Sequence, residues 1–312
     1  VITLIFPPFF ATFATLIVEN KKITMNNRKR KSGSRFGGLG WIGLVLLLLL
    51  VAVRALTQQE EVEPVKAETI VTAHQDNGTW TAMPDSVLVL CKPASLTSVP
   101  EQVLERTSYV VSYNAETRCP NWVAWQLTAD HTDGLMKRIS NFHEDEDCPL
   151  PRATLQDYRG SGWSRGHMCP AGDNKWSRQA MYDSFSLVNV CPQNAKLNSG
   201  VWNSVETDCR RWARQYGEVY IVCGPVWSRG PRRTIGPNAV AVPDAFFKVV
   251  FRLSPTPQAF GIVVKNTEGT RKRDLYFNSV DQVERITGID FFPALPDDVE
   301  LQVEATADMA AW

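Results

Sequence analysis

The chain has 312 residues, 44% apolar, 21% charged and 10% aromatic, a globular composition that excludes a disordered chain, a collagen and a pure coiled coil. Its 33 basic and 33 acidic residues cancel, but unevenly: residues 1–56 hold eight Lys/Arg against Glu19 alone, leaving 25 against 32 in 57–312. A globally basic nucleic-acid binder is thereby excluded, and any phosphate recognition has to come from a local patch.

In chain order, the first expected element is a targeting segment. Residues 1–18 are apolar but broken by Pro7-Pro8, and Met25 rather than Val1 is the expected start, so 1–24 read as an upstream mis-start. Arg28-Lys29-Arg30-Lys31 and Arg35 then precede an apolar run over 37–53, at the short end of a membrane span. With Glu60, Glu61 and Glu63 behind it, residues 25–56 are expected to be a signal peptide or, if uncleaved, a membrane anchor. The rest is then expected outside the cytoplasm, membrane-anchored or secreted/periplasmic. Seven cysteines without a C-x-x-C spacing fit that oxidising compartment, allow up to three disulfides and argue against zinc. Residues 57–100 are polar with scattered Pro and Gly and read as a stalk before a domain at 101–312.

Within that domain, 109–113, 122–127, 220–225, 245–253 and 260–264 have aromatic and β-branched strand character and predict a mostly antiparallel sheet. Val201, Trp202, Val205, Cys209, Trp212, Ala213 and Tyr216 recur at three and four residues, predicting a long amphipathic helix. A shorter helix is expected from a Ser177 cap to Ser184, and another after Ser279, stopped by Gly288. The fold class expected is one α+β domain.

The densest polar pattern lies over 160–206: Arg165-Gly166-His167, then Asn189, Cys191-Pro192-Gln193-Asn194, Asn198 and Glu206. On a helix beginning near Asn198, positions 198, 202 and 206 share one side, so Asn198 and Glu206 flank Trp202 facing inward. A carboxylate there costs several kcal/mol unless paired or near a cation, which points to a bound ion. Single residues have plainer readings: His74, His131 and His143 as structural or surface histidines, an Asn near a helix start as a cap. The ordered set is what argues for chemistry.

That set resembles the DNA/RNA non-specific endonucleases of the ββα-metal superfamily, which include secreted sugar-non-specific nucleases and endonuclease G. Their signature is Asp-Arg-Gly-His, then Asn-x-x-Pro-Gln, then Asn followed eight residues later by Glu. This chain has Ser164-Arg165-Gly166-His167, Asn189-Val190-Cys191-Pro192-Gln193, and Asn198 with Glu206, the likeness running over about 109–300. The resemblance implies a ββα-metal finger embedded in a mostly antiparallel central sheet flanked by helices. It makes His167 the general base, Asn198 the metal ligand, Glu206 the residue holding the ion's water and Arg165 a phosphate contact. Arg138 is the candidate for an upstream arginine acting on transition-state charge. Asn189 and Gln193 are supporting residues, and Ser164 stands where the family has Asp.

The function implied is a Mg²⁺-dependent endonuclease on DNA and RNA with little sequence preference, Mn²⁺ being a possible substitute and a homodimer a possible assembly. The alternative is a catalytically impaired nuclease-like module that binds nucleic acid at the cell surface; turnover separates the two. Trp163 and Trp176 are read as core packing rather than as base-stacking groups. Arg229, Arg232 and Arg233 with Lys248 are either a phosphate-binding groove or a solvated loop, and the acidic run 144–147 is read as surface.

Overall fold

In the computed structural model the described residues are 75–76, 79–80, 90–269 and 273–312. The segments 1–24 and 25–56 expected to start and target the chain, His74, and most of the stalk before Leu90 lie outside them. In chain order the strands are β1 (Gln75–Asp76), β2 (Thr79–Trp80), β3 (Gln102–Glu105), β4 (Val110–Asn114), β5 (Cys119–Thr128), β6 (Ser164–His167), β7 (Val190–Gln193), β8 (Glu218–Val226), β9 (Thr234–Ile235), β10 (Val240–Ala241), β11 (Ala245–Arg252), β12 (Gln258–Lys265) and β13 (Phe277–Asn278). The longer helices are α1 (Arg178–Ser184), α2 (Asn203–Tyr216), α3 (Val280–Thr287) and α4 (Asp297–Ala305).

Seven strands form one sheet in the order β13-β12-β11-β8-β5-β4-β3, antiparallel throughout. Side chains alternate across it. Val123, Trp125 and Leu127 of β5, Ile221 and Cys223 of β8 and Phe246 and Val250 of β11 join Trp202, Val205, Cys209 and Trp212 in a front core. Trp122, Ala124, Tyr220, Val222, Phe247, Val249 and Phe251 point the other way. There they pack with Val280 and Val283 of α3 and Val299 and Val303 of α4. Burial on both faces explains why these strands read as nearly continuous apolar runs. Each fully buried side chain of this size contributes about 1.5–3 kcal/mol.

Local chemistry sets the helix ends. The Ser177 side chain accepts from Ala180 N at the start of α1. Ser279 and Gln282 cap one another's backbone at the start of α3, and Gly288, at φ 71°, ends it in the left-handed conformation. Residues 90–100 also touch the domain: Leu90 and Cys91 belong to the back core, and Ala94 N donates to Asp290 O.

Two expectations are corrected here. Cys119, Cys148, Cys169, Cys191, Cys209 and Cys223 are buried free thiols rather than disulfides. They fill the front core as small apolar residues, and burial pushes the Cys209 thiol up to about 12. The acidic run is surface at Glu144, Glu146 and Asp147, but Asp145 is 9% exposed, receives two hydrogen bonds from the Arg106 guanidinium at 3.2 and 2.7 Å and a third from Ser186 Oγ.

Candidate active site

Strands β6 and β7 pair as an antiparallel ribbon, Arg165 opposite Pro192 and His167 opposite Val190, and α2 follows to complete a ββα finger. Arg165 and His167 are two residues apart on β6 and share a side. With Arg138, Asn198, Glu206 and Arg210 they line a cavity of about 380 Å³. A neighbouring cavity of about 540 Å³ shares Arg138, Arg165 and Asn198 and is walled by Ser164, Trp163, Phe142 and Tyr158. The structure thus brings His167, Arg165, Asn198, Glu206 and Arg138 together.

The imidazole of His167 is 7% exposed and its Nε2 has no hydrogen-bond partner. Its ring sits between Phe142 and Phe185, with centroids at 5.1 and 4.9 Å. The Arg165 guanidinium lies 4.4 Å over Phe142 and that of Arg138 lies 5.4 Å over Phe185. Each ring that holds the imidazole therefore also supports an arginine. Burial, and then the charges of Arg138 and Arg165, push His167 down to about 3, so it is neutral with a bare nitrogen at physiological pH.

Asn198 does not begin the long helix. Ala195–Leu197 form a short turn capped by Asn194, whose side chain accepts from Lys196 N and Leu197 N. Gly200, at φ −101° and ψ −112°, then breaks the path before α2 starts at Asn203. The expected continuous 198/202/206 face is therefore corrected to two helical pieces across a kink. Asn198 and Glu206 still reach the same cavity, while Trp202 is buried between them. Glu206 is half-buried; burial pushes its carboxyl up to about 7, opposed by Lys248, reinforced by Asp173 and opposed again by Arg210 and Arg138.

Two neighbours, Asp173 and Arg210, escaped the sequence reading of the site, and a third, Lys248, was expected in a phosphate-binding groove or a solvated loop. Asp173 is buried, accepting from Arg210 at 2.8 Å and from the Trp125 indole at 3.2 Å. Arg210 lies one helical turn after Glu206 on α2 and lines the cavity. Lys248 belongs to no solvated loop or groove: it is 1% exposed, its Nζ 4.7 Å from the Trp125 ring and 5.0 Å from that of Trp202. Burial works against its charge, but Cys223, Cys209, Glu206 and Asp173 outweigh that and hold it above its ordinary value.

The supporting residues separate clearly. Asn189 braces the finger: its Oδ1 accepts from Cys169 N, and its Nδ2 donates to Cys169 O and Ser184 O. Gln193 packs on Gly166, where an added Cβ would collide with the Gln193 side chain. Gly166→Ala is accordingly expected to destabilise the protein by about 1–3 kcal/mol, read as a lowered urea midpoint; an unchanged midpoint would mean that Gln193 swings aside freely. His131 stacks on Trp176 and His143 on Tyr182, outside both cavities, as structural histidines. Trp163 packs partly buried against the front core, as expected, while also walling the second cavity; Trp176 is 37% exposed and is not core packing. Arg229, Arg232 and Arg233 are exposed, Arg232 lying over Trp227 and Arg233 over Trp163.

The family model described as DNA/RNA non-specific endonuclease matches residues 87–298. The chain belongs to that family. It is 38% identical over 208 residues to the mitochondrial nuclease EXOG of Danio rerio, covering 61% of this chain and 60% of that one. To the mitochondrial endonuclease G of Bos taurus it is 37% identical over 207 residues, covering 62% and 69%. Among solved structures, the EndoG/EndoGI complex, described as showing the mechanism of EndoG inhibition, superposes with a TM-score of 0.63 at 28% identity. That match covers 69% of this chain and 95% of that one. The chain spans 60% of the length of the Danio relative and 59% of the EXOG of Xenopus laevis.

These family members correct the expected compartment. The extracytoplasmic placement rested on a basic cluster before an apolar run, but the relatives are named as mitochondrial proteins. Mitochondrial targeting sequences are likewise rich in basic and poor in acidic residues, so the pattern over 1–56 does not discriminate between the two. Among the described residues, no helix is long and apolar enough to cross a membrane.

Proposed function

We propose that residues 101–312 form a Mg²⁺-dependent endonuclease that hydrolyses phosphodiester bonds of DNA and RNA with little sequence preference, Mn²⁺ being able to replace Mg²⁺. The observation that carries this reading is the convergence of an unpartnered neutral imidazole, an amide, a carboxylate and three guanidinium groups on one cavity. A mitochondrial location goes with it, supported by the names of the relatives.

The donor set fits a hard cation. The Asn198 amide has no side-chain hydrogen bond among the described residues, and its oxygen, with the Glu206 carboxylate, suits Mg²⁺, which prefers oxygen ligands and keeps several waters. Asn198 would hold the ion and Glu206 its water shell. The ion would supply positive charge to the scissile phosphate and the leaving 3′ oxygen.

The chain's own residues do the rest. His167 Nε2 accepts the proton of the attacking water, the ring being fixed by Phe142 and Phe185. Arg165 and Arg138, each resting on one of those rings, meet the phosphate oxygens with charge-assisted hydrogen bonds. Phosphate binding also offsets the two positive charges that depress His167, so the imidazole becomes a stronger base when substrate is present. Ser164 borders the second cavity, next to the arginine, where its hydroxyl takes the place of the family's Asp. Contacts made to phosphate rather than to base edges give little sequence preference.

The test is degradation of supercoiled plasmid and of RNA by the full chain with Mg²⁺ and with EDTA. Both substrates should be cut with Mg²⁺ and neither with EDTA. A folded protein that retards DNA without shortening it in Mg²⁺, Mn²⁺ and Ca²⁺ would overturn the reading in favour of a binding module.

The acid side of the pH profile should belong to Glu206. Its carboxyl is raised to about 7, so it binds a proton as pH falls through that value, and the proton competes with the metal. At limiting Mg²⁺ activity is expected to fall below about pH 7, and higher Mg²⁺ should move that limb to lower pH. A limb unmoved by Mg²⁺ would remove Glu206 from the metal site.

A further inference from the structure

The back face of the sheet carries a second group of carboxylates that the nuclease reading does not use. Asp281 and Glu284 of α3 and Glu304 of α4 each place a carboxylate oxygen within 4.8 Å of the others. The segment 281–308 holds eight acidic residues against the single cation Arg285. Glu304 is only 7% exposed, yet its Oε1 is buried without a hydrogen-bond partner. Glu284 is held in place, its Oε1 accepting from Phe291 N at 2.8 Å.

An apolar residue at position 304 would continue the Val299 and Val303 packing of α4 at no electrostatic cost; a carboxylate facing two others calls for a counter-charge. Burial, then the charges of Glu284, Glu300, Asp281 and Asp290, push Glu304 up to about 8. The spacing is compatible with one shared hard cation. Ca²⁺ holds oxygens at about 2.3–2.6 Å and Mg²⁺ at about 2.0–2.1 Å, so opposed ligands lie up to about 5 Å apart around Ca²⁺ but only about 4 Å around Mg²⁺. Three carboxylate oxygens all within 4.8 Å of one another are close enough to share one such ion.

We propose that Asp281, Glu284 and Glu304 form a second cation site, distinct from the nuclease cavity, which takes Ca²⁺ or a hard divalent ion of similar size and clamps α3 to α4. The remaining coordination comes from water, which makes the site a weak one. The clamp couples ion binding to the docking of the two C-terminal helices on the back core rather than to phosphodiester chemistry.

The experiment is calorimetric titration and thermal unfolding of the full chain with CaCl₂, using Asn198→Ala to remove the candidate nuclease ligand. Expected are one Ca²⁺ bound per chain with Asn198→Ala present and a midpoint about 5 °C higher at about a hundredfold excess over Kd. Glu284→Gln with Glu304→Gln should abolish both while raising the Ca²⁺-free midpoint through relief of repulsion. If that pair does not fold, Asp281→Asn at the half-exposed rim should weaken binding about tenfold or more. No heat and no shift in the parent would overturn the proposal. So would a Ca²⁺ response that survives in the carboxamide variants or disappears with Asn198→Ala alone. Because the readouts are binding and stability, the result is independent of whether the chain cuts nucleic acid.

Discussion

His167→Ala is expected to slow cleavage of plasmid and RNA by about 10²–10⁴-fold, the usual contribution of a positioned general base. DNA binding should persist, because the groups proposed to meet phosphate, Arg165 and Arg138, are supported by Phe142 and Phe185 rather than by the imidazole. His167→Gln keeps more of the side-chain volume between those rings and separates lost chemistry from lost packing. Both variants should be slow while the glutamine protein unfolds nearer the parent midpoint. A variant that cuts at the parental rate would remove His167 from the reaction. One that loses DNA binding in step with turnover would make its role structural.

The second large effect is on stability. Arg210→Met is expected to cost about 3–5 kcal/mol, the penalty for leaving a buried carboxylate without its partner. The Asp173 side chain is fully buried, and its Oδ1 takes an ion pair from Arg210 at 2.8 Å. Burial already holds this carboxyl above its ordinary value, against the pull of Arg210; without the guanidinium it rises further. A raised folded-state pKa means that the neutral form is tolerated and the charged form penalised. The deficit is therefore largest at neutral and alkaline pH and shrinks as pH falls and Asp173 takes up a proton. Urea unfolding across that range measures it. A loss that did not vary with pH would indicate missing packing rather than an orphaned charge. Asp173→Asn in the same background should recover part of the loss.

Much of this was legible in the sequence. The five inner strands β4, β5, β8, β11 and β12 announced themselves by aromatic and β-branched runs, while the short edge strands β3 and β13 did not; Ser177, Ser279 and Gly288 followed local capping rules that tertiary context did not override. The site was legible because one short stretch carries most of it, 160–206. What was missed depends on long-range geometry. The interruption between Asn198 and Asn203 is a matter of backbone at Gly200, which the hydrophobic period does not register. Arg210 offered a signal, one turn after Glu206 on the same helical face. Lys248 offered another, as a cation in the middle of the otherwise apolar strand 245–251. Its sandwich between Trp125 and Trp202 joins residues 123 and 46 positions away, which no local pattern reveals. The acidic trio on the back face is hidden for the same reason: Glu304 meets Asp281 and Glu284 only because α3 and α4 dock side by side.

Six of the seven buried cysteines bear on what the proposed mitochondrial location would ask of the chain. A fold without cross-links among Cys119, Cys148, Cys169, Cys191, Cys209 and Cys223 has no covalent loops to open before it can be threaded as an extended chain through a translocation pore. Among these residues the native state is held by noncovalent packing, with the thiols kept from solvent as long as the core stays closed.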